Sequence, residues 1–218
     1  NNDTIIIQKN WLKEMVKVAE SDKKIGIIGC KLIYPDGRIQ HAGIDTSRMM
    51  YIGYGESSKK YNKIKELESV TAACWLVREI LFRLIGGFDE IYSPFCWEDI
   101  DYCIRVRRLG FKIYYVGKVA IIHKEGASVD KHSNELYYFT TRKNVMIVYF
   151  RYFGLIKKLK AIIKSFFQIF ITKKNTNLKF SSSNILLHKK FLKRFYYFLK
   201  ALIIALVFSP RFQNRRFY

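Results

Sequence analysis

An α/β fold is predicted by an amphipathic helix followed by short, continuously apolar runs that recur along the first half of the chain. Leu12, Met15, Val16 and Ala19 lie at helical spacing between Trp11 and about Glu20, after Asn10, whose side chain can cap the first turn. Ile25-Gly26-Ile27-Ile28-Gly29 is the uninterrupted form taken by a strand buried on both faces. Such alternation favours layers of helix on sheet.

The remaining elements follow in order. Tyr34-Pro35-Asp36-Gly37 is a turn, since Pro fixes one φ and Gly permits the left-handed position. From Ile44 to Lys65 a long stretch rich in Tyr, Ser, Gly and Lys reads either as a binding loop or as a solvated insertion. A strand is expected over Val70 to Val77, then a helix from about Arg78 to Ile85, ended by Gly86-Gly87. Phe111 to Val116 and Val119 to Ile122 read as two further strands, with His123 at the exit of the second, where ligands of open α/β sheets gather.

Between these elements, Glu98, Asp99 and Asp101 crowd three carboxylates into the start of a helix. Acids are favourable there, so a solvated helix start is one reading. Asp101 can pair with Arg105 four residues on, while Ile100, Cys103 and Ile104 form the apolar face. Glu98 and Asp99 then remain as adjacent, mutually repelling carboxylates able to hold a proton-accepting oxygen.

Charge divides the chain. Residues 1–140 hold 21 Lys and Arg against 18 Asp and Glu, a net +3, whereas residues 141–218 hold 18 basic residues and no acid, a net +18. Beyond Thr140 the pattern becomes long basic-apolar helices over Asn144 to Phe153, Leu155 to Ile171 and Phe191 to Phe208, with a polar break at Asn175 to Asn184. The run Ala201 to Pro210 is about half of a membrane crossing. A helical extension lying on an anionic membrane surface is expected, with packing against another domain or partner and nucleic-acid contact as alternatives. Phe and Ile dominate where a phosphate-tracking stripe would need polar spacing, which disfavours nucleic acid. A hydrophobic content of 50% excludes a disordered chain. Cys30, Cys74, Cys96 and Cys103 have no short paired spacing and read as reduced, buried side chains of a cytosolic protein, with a bridge left open.

Several segments stand together in one order: Asn1-Asn2-Asp3-Thr4, Lys31-Leu32 with Asp36-Gly37 and His41-Ala42-Gly43, Thr71-Ala72-Ala73-Cys74-Trp75-Leu76-Val77-Arg78, Gly86-Gly87-Phe88-Asp89-Glu90, Glu98-Asp99-Ile100-Asp101 and Val119-Ala120-Ile121-Ile122-His123. Over about Asn1 to Tyr152 this resembles the second half of a family 2 glycosyltransferase of the rhamnosyltransferase-like group. The resemblance implies a Rossmann-like GT-A fold lacking its N-terminal half, so that residues 1–140 are the later part of a transferase domain and 141–218 a basic extension. It implies an inverting, metal-dependent transfer of a sugar such as rhamnose from a nucleotide-sugar donor to a lipid-linked or glycan acceptor, at the cytoplasmic face of the membrane.

By the same resemblance Asn1, Asp3 and Arg142 would bind the donor diphosphate. Asp3 and His123 would hold Mg²⁺ or Mn²⁺, the cations suited to hard oxygen ligands. Asp99 would be the general base and Glu98 its positioning or acceptor-binding neighbour. Thr71, Ala72, Ala73 and Trp97 would line the sugar site, and Trp75 would pack in the core. No Gly-rich phosphate loop is present, so a fragment of a longer enzyme is expected. The alternative is a non-catalytic, truncated remnant that binds the membrane or a partner enzyme; as partners, a second copy of the chain or a partner enzyme is expected.

Overall fold

A computed structural model describes residues 1–46, 50–124, 135–167, 169 and 183–208. The chain divides into two compact units, Asn1–Asp89 with Glu98–Asp130, and Glu90–Trp97 with Lys131–Tyr218.

The first unit is built on a six-stranded sheet. Its elements are β1 (Thr4–Ile6), α1 (Trp11–Glu20), β2 (Ile25–Ile33), β3 (Ile39–His41), the small pair β4 (Ile44–Asp45) and β5 (Met50–Tyr51), β6 (Ile64–Leu67), β7 (Trp75–Val77), α2 (Glu79–Ile85), α3 (Glu98–Arg108) and β8 (Lys112–His123). β2 and β8 run parallel at the centre. β7 and β3 pair antiparallel with the two ends of β2, and β6 and β1 do the same on β8.

This corrects the expected fold. A Rossmann-like GT-A sheet is flat and mostly parallel, whereas here one parallel pairing is framed by four antiparallel ones in a mixed sheet curled like a half-barrel. Only β3 reaches its neighbour by a turn, folding back on β2 through the Tyr34–Gly37 turn, closed by Gly37 N–H donating to Tyr34 O at 2.9 Å, while the other antiparallel pairs of this sheet join strands distant in the chain.

The apolar run of β2 is buried on both faces because successive side chains point to opposite sides. Ile27 packs with Leu81, Tyr102, Val106 and Ile113 beneath α2 and α3. Ile28 packs with Met15, Val18, Val116 and Ile121 beneath α1. α1 forms as its spacing requires, but the Asn10 side chain makes no capping hydrogen bond.

The two strands expected at 111–122 are one. Cys30 pairs with Val116 and Lys31 with Ala120, so residues 117–119 bulge out of the ladder and the strand continues. Gly117 permits this, since a Cβ there would stand 2.2 Å from the Tyr61 carbonyl oxygen. The strand expected from Val70 shortens to β7 because Val70 lies over Gly29 instead, where an added Cβ would come within 2.6 Å of the Val70 Cβ. Trp75 packs in the core as expected, with Phe88 and Tyr102 rings each 5.8 Å away.

In α3 the expected Asp101–Arg105 pair forms at 2.7 Å, and both side chains are buried. Arg105 also donates to the carbonyls of Ile85 and Gly87, satisfying the open end of α2.

The second unit holds α4 (Glu135–Tyr152), α5 (Leu155–Phe167), α6 (Ser183–Phe208) and the loop 90–97. Of the polar break expected at 175–184, residues 175–182 lie outside the described residues, as does the end of the run reaching Pro210. Buried Met146, Ile147 and Val148 of α4, Ala161 of α5, and Phe198, Ala201 and Ala205 of α6 form the interior. α6 turns Phe198, Ala201 and Ala205 inward, and among the described residues no helix is long and apolar enough to cross a membrane.

The loop 90–97 is pinned from α4. Lys143 Nζ donates to the carbonyls of Ile91 and Ser93 at 2.6 and 3.0 Å, and Asn144 Nδ2 to those of Tyr92, Phe95 and Cys96 at 2.7, 2.8 and 2.8 Å. Such a clamp is what Cys96 and Trp97 need, because both occupy the left-handed region at φ 71° and 76°.

Candidate functional site

The site is organised around the turn Thr71-Ala72-Ala73, which leads into β7. A backbone turn placed at the rim of a sheet needs partners for its polar groups. Three distant parts of the first unit supply them. Thr71 N–H donates to His41 Nε2 at 3.2 Å, Ala72 N–H donates to Asp99 Oδ2 at 3.3 Å, and the backbone nitrogen of Asn1 donates to Ala73 O at 3.0 Å.

Asp99 reaches the turn because it opens α3, where its Oδ1 also accepts the Ile100 N–H at 2.8 Å. Burial raises the Asp99 carboxyl, opposed by its hydrogen bonds from Thr71, Ile100 and Ala72. Glu98 is raised as well. Burial, then the neighbouring Asp99, raises its carboxyl to about 7. Glu98 Oε2 is buried with no hydrogen-bond partner among the described residues.

A second cluster lies at the exits of β8 and β3. Asp3 precedes β1, whose Thr4 pairs with His123, and this register brings Asp3 Oδ1 within 3.2 Å of His123 Nε2. The other ring nitrogen, Nδ1, lies 2.5 Å from Gln40 Oε1. Asp3 and His123 therefore meet as expected, but the imidazole faces an oxygen on each side and has no nitrogen left to turn to a cation. Among the described residues no group of three or more His, Cys, Asp or Glu could hold a metal ion. The expected Mg²⁺ or Mn²⁺ site, and with it the inverting metal-dependent transferase reading, is corrected on that finding.

The turn and the carboxylates thus unite Asn1, Thr71, Ala72, Ala73, Glu98 and Asp99, with Asp3 and His123 joined in their own pair. Trp97 and Arg142 belong to the second unit, where the Arg142 guanidinium lies over the Tyr138 ring at 5.1 Å.

Sequence reasoning assigned no role to Gln40 or His41. Both are almost fully buried in β3, and burial, with His123 nearby, lowers the His41 imidazole to about 3, so it is neutral and its Nε2 free to accept. The available signal was two polar residues following Ile39 in a short apolar strand, since buried polar groups require partners.

No family model matches the chain. It is 34% identical over 137 residues to the uncharacterized protein y4gI of Sinorhizobium fredii (strain NBRC 101917 / NGR234), covering 59% of this chain and 15% of that protein. It is 31% identical over 138 residues to the O-antigen biosynthesis protein RfbC of Myxococcus xanthus, covering 59% of this chain and 11% of that one. The chain spans under a sixth of either relative's length. These are distant, partial likenesses, one of them to a protein named for O-antigen biosynthesis, and they do not establish a GT-A or family 2 identity.

Proposed function

We propose that this chain serves surface-polysaccharide biosynthesis as a non-catalytic unit that recognises a sugar and works beside a partner enzyme. The observation that carries this reading is Glu98: a carboxyl with a buried, unpartnered oxygen, next to Asp99 and the small-residue turn 71–73. Sugar hydroxyls donate hydrogen bonds that such an oxygen lacks, and Ala72 and Ala73 keep the approach short. The likeness to an O-antigen biosynthesis protein supports the same substrate class. Exposed apolar side chains on α5 and α6, set among lysines, suit a protein partner.

A second reading is favoured by the same carboxyl. A group held at about 7 is placed to exchange a proton with a hydroxyl, so in a longer protein this unit could supply the acceptor side of hexosyl transfer, with the Glu98–Asp99 pair taking the proton and positioning the acceptor.

Calorimetric titration with hexose and deoxyhexose oligosaccharides tests the first reading. Binding is expected to weaken at least about tenfold, ~1.4 kcal/mol, in Glu98→Gln and in Asp99→Asn. Affinity unchanged in both variants would overturn it.

A further inference from the structure

Two cysteines with no assigned role sit behind the turn. β2 and β7 run antiparallel with Ile27 opposite Val77, Ile28 opposite Leu76 and Gly29 opposite Trp75, so the next step of that register sets Cys30 opposite Cys74. Residues opposed in this way have Cα atoms roughly 4.5–5.5 Å apart, inside the span of about 4.4–6.8 Å that a disulfide bridges. Side-chain placement agrees with the register, since Cys30 Sγ lies 3.8 Å from Cys74 O.

The two sulfurs differ in environment. Cys30 is buried in the core beneath α1, whereas Cys74 is partly exposed. The hydrogen bond from Cys30 lowers the Cys74 thiol, while the same bond and burial push Cys30 up. An accessible sulfur with thiolate character beside a buried resolving thiol is the arrangement in which thiol oxidation is selective. Cys103 is buried, its thiol pushed up to about 12, and its Sγ lies 3.6 Å from Val70 O.

We propose that Cys30 and Cys74 form a reversible cross-strand disulfide that fastens the Thr71-Ala72-Ala73 turn to the central strand β2. The oxidant is a peroxide. The Cys74 thiol first releases its proton; the thiolate attacks a peroxide oxygen, the O–O bond breaks as the S–O bond forms, and the departing hydroxide takes up that released proton and leaves as water. Cys30 sulfur then attacks Cys74 sulfur; the S–S bond forms, the S–O bond breaks, and the hydroxyl leaves with the Cys30 proton as a second water. The two thiols together lose two electrons and the peroxide gains two. Cys74 adjoins Ala73, so the new bond removes freedom from the segment whose N–H groups engage His41 and Asp99.

Treating the native chain with hydrogen peroxide, quenching, and titrating thiols after denaturation tests this. Two of the four thiols are expected to be lost, with peptide mapping by mass spectrometry finding Cys30 linked to Cys74, and a thiol reductant restoring both. In Cys30→Ser, Cys74 is expected to be trapped as a sulfenic acid by dimedone. Retention of all four thiols, or a bridge that uses Cys96 or Cys103, would overturn the proposal. The wild-type measurement stands without any variant, so poor folding of Cys30→Ser would not obscure the result.

Discussion

At the scale of the residue, Glu98 is the most informative group. Its carboxyl sits at about 7 against an ordinary 4.5, so between those values the folded chain binds more protons than the unfolded chain. The stability it lends is full below about pH 4.5 and is lost as pH rises through 7. Denaturant midpoints of the wild type are expected to fall over that window relative to Glu98→Gln, by on the order of 2 kcal/mol once partial exposure is allowed for. Equal slopes in the two proteins would remove the assignment. The carboxylate pair was legible in the sequence because three acids at one helix start exceed what a helix dipole requires. His41 and Gln40 were not, because their partners, Thr71 and His123, lie far along the chain and only the folded register brings them together.

Elements were read best where a local pattern decides them. α1 and α2 fell close to their predicted bounds and β2 began where its apolar run predicts, running on to Ile33 past the expected Gly29, because amphipathic spacing, a terminating glycine pair and an apolar run are all short-range signals. The sheet's direction was misjudged because pairing is settled by connections between distant segments, and the residues of β3, β6 and β7 carry no mark of antiparallel partners. Gly117 falls in the gap between the two strands expected at 111–116 and 119–122, yet it is the point at which another segment's backbone presses against β8. The Asp101–Arg105 pair, read correctly from four-residue spacing, ties α3 to the end of α2. Asp101→Asn removes the Asp101 charge from the buried Arg105 guanidinium, and the expected loss is about 3–5 kcal/mol in chemical denaturation. A loss under about 1 kcal/mol would mean that the remaining partners of Arg105 suffice.

Across the whole molecule, charge and exposed apolar surface concentrate in the second unit's helices. The segment 141–218 carries +18, and Ile156, Leu159, Ile163 and Phe167 of α5 remain exposed although Ala161 and Ser165 of the same helix are buried. Surface substitutions away from a core change stability little, within about 0.5 kcal/mol. Ile163→Lys is therefore expected to leave the unfolding midpoint in place while reducing association, whether with a partner enzyme or with a second copy, in sedimentation velocity. Association undiminished by that change would remove α5 as the binding face. High salt is expected to weaken whatever part of the association is electrostatic.

The turn at Thr71-Ala72-Ala73 is tied to segments 72, 30 and 27 residues away in the chain. Three rim hydrogen bonds return less for their loop closures than the apolar burial that accompanies β2–β8 pairing, so they tend to form late. The recognition surface then takes shape after the central strands have already met, and half-folded chains released from synthesis would be compact yet blind to ligand. Stopped-flow measurements on Asp99→Ala should find refolding at the wild-type rate and unfolding accelerated, the mark of an interaction absent from the transition state. Slowed refolding would instead make this rim part of the nucleus, and the order of assembly would be reversed.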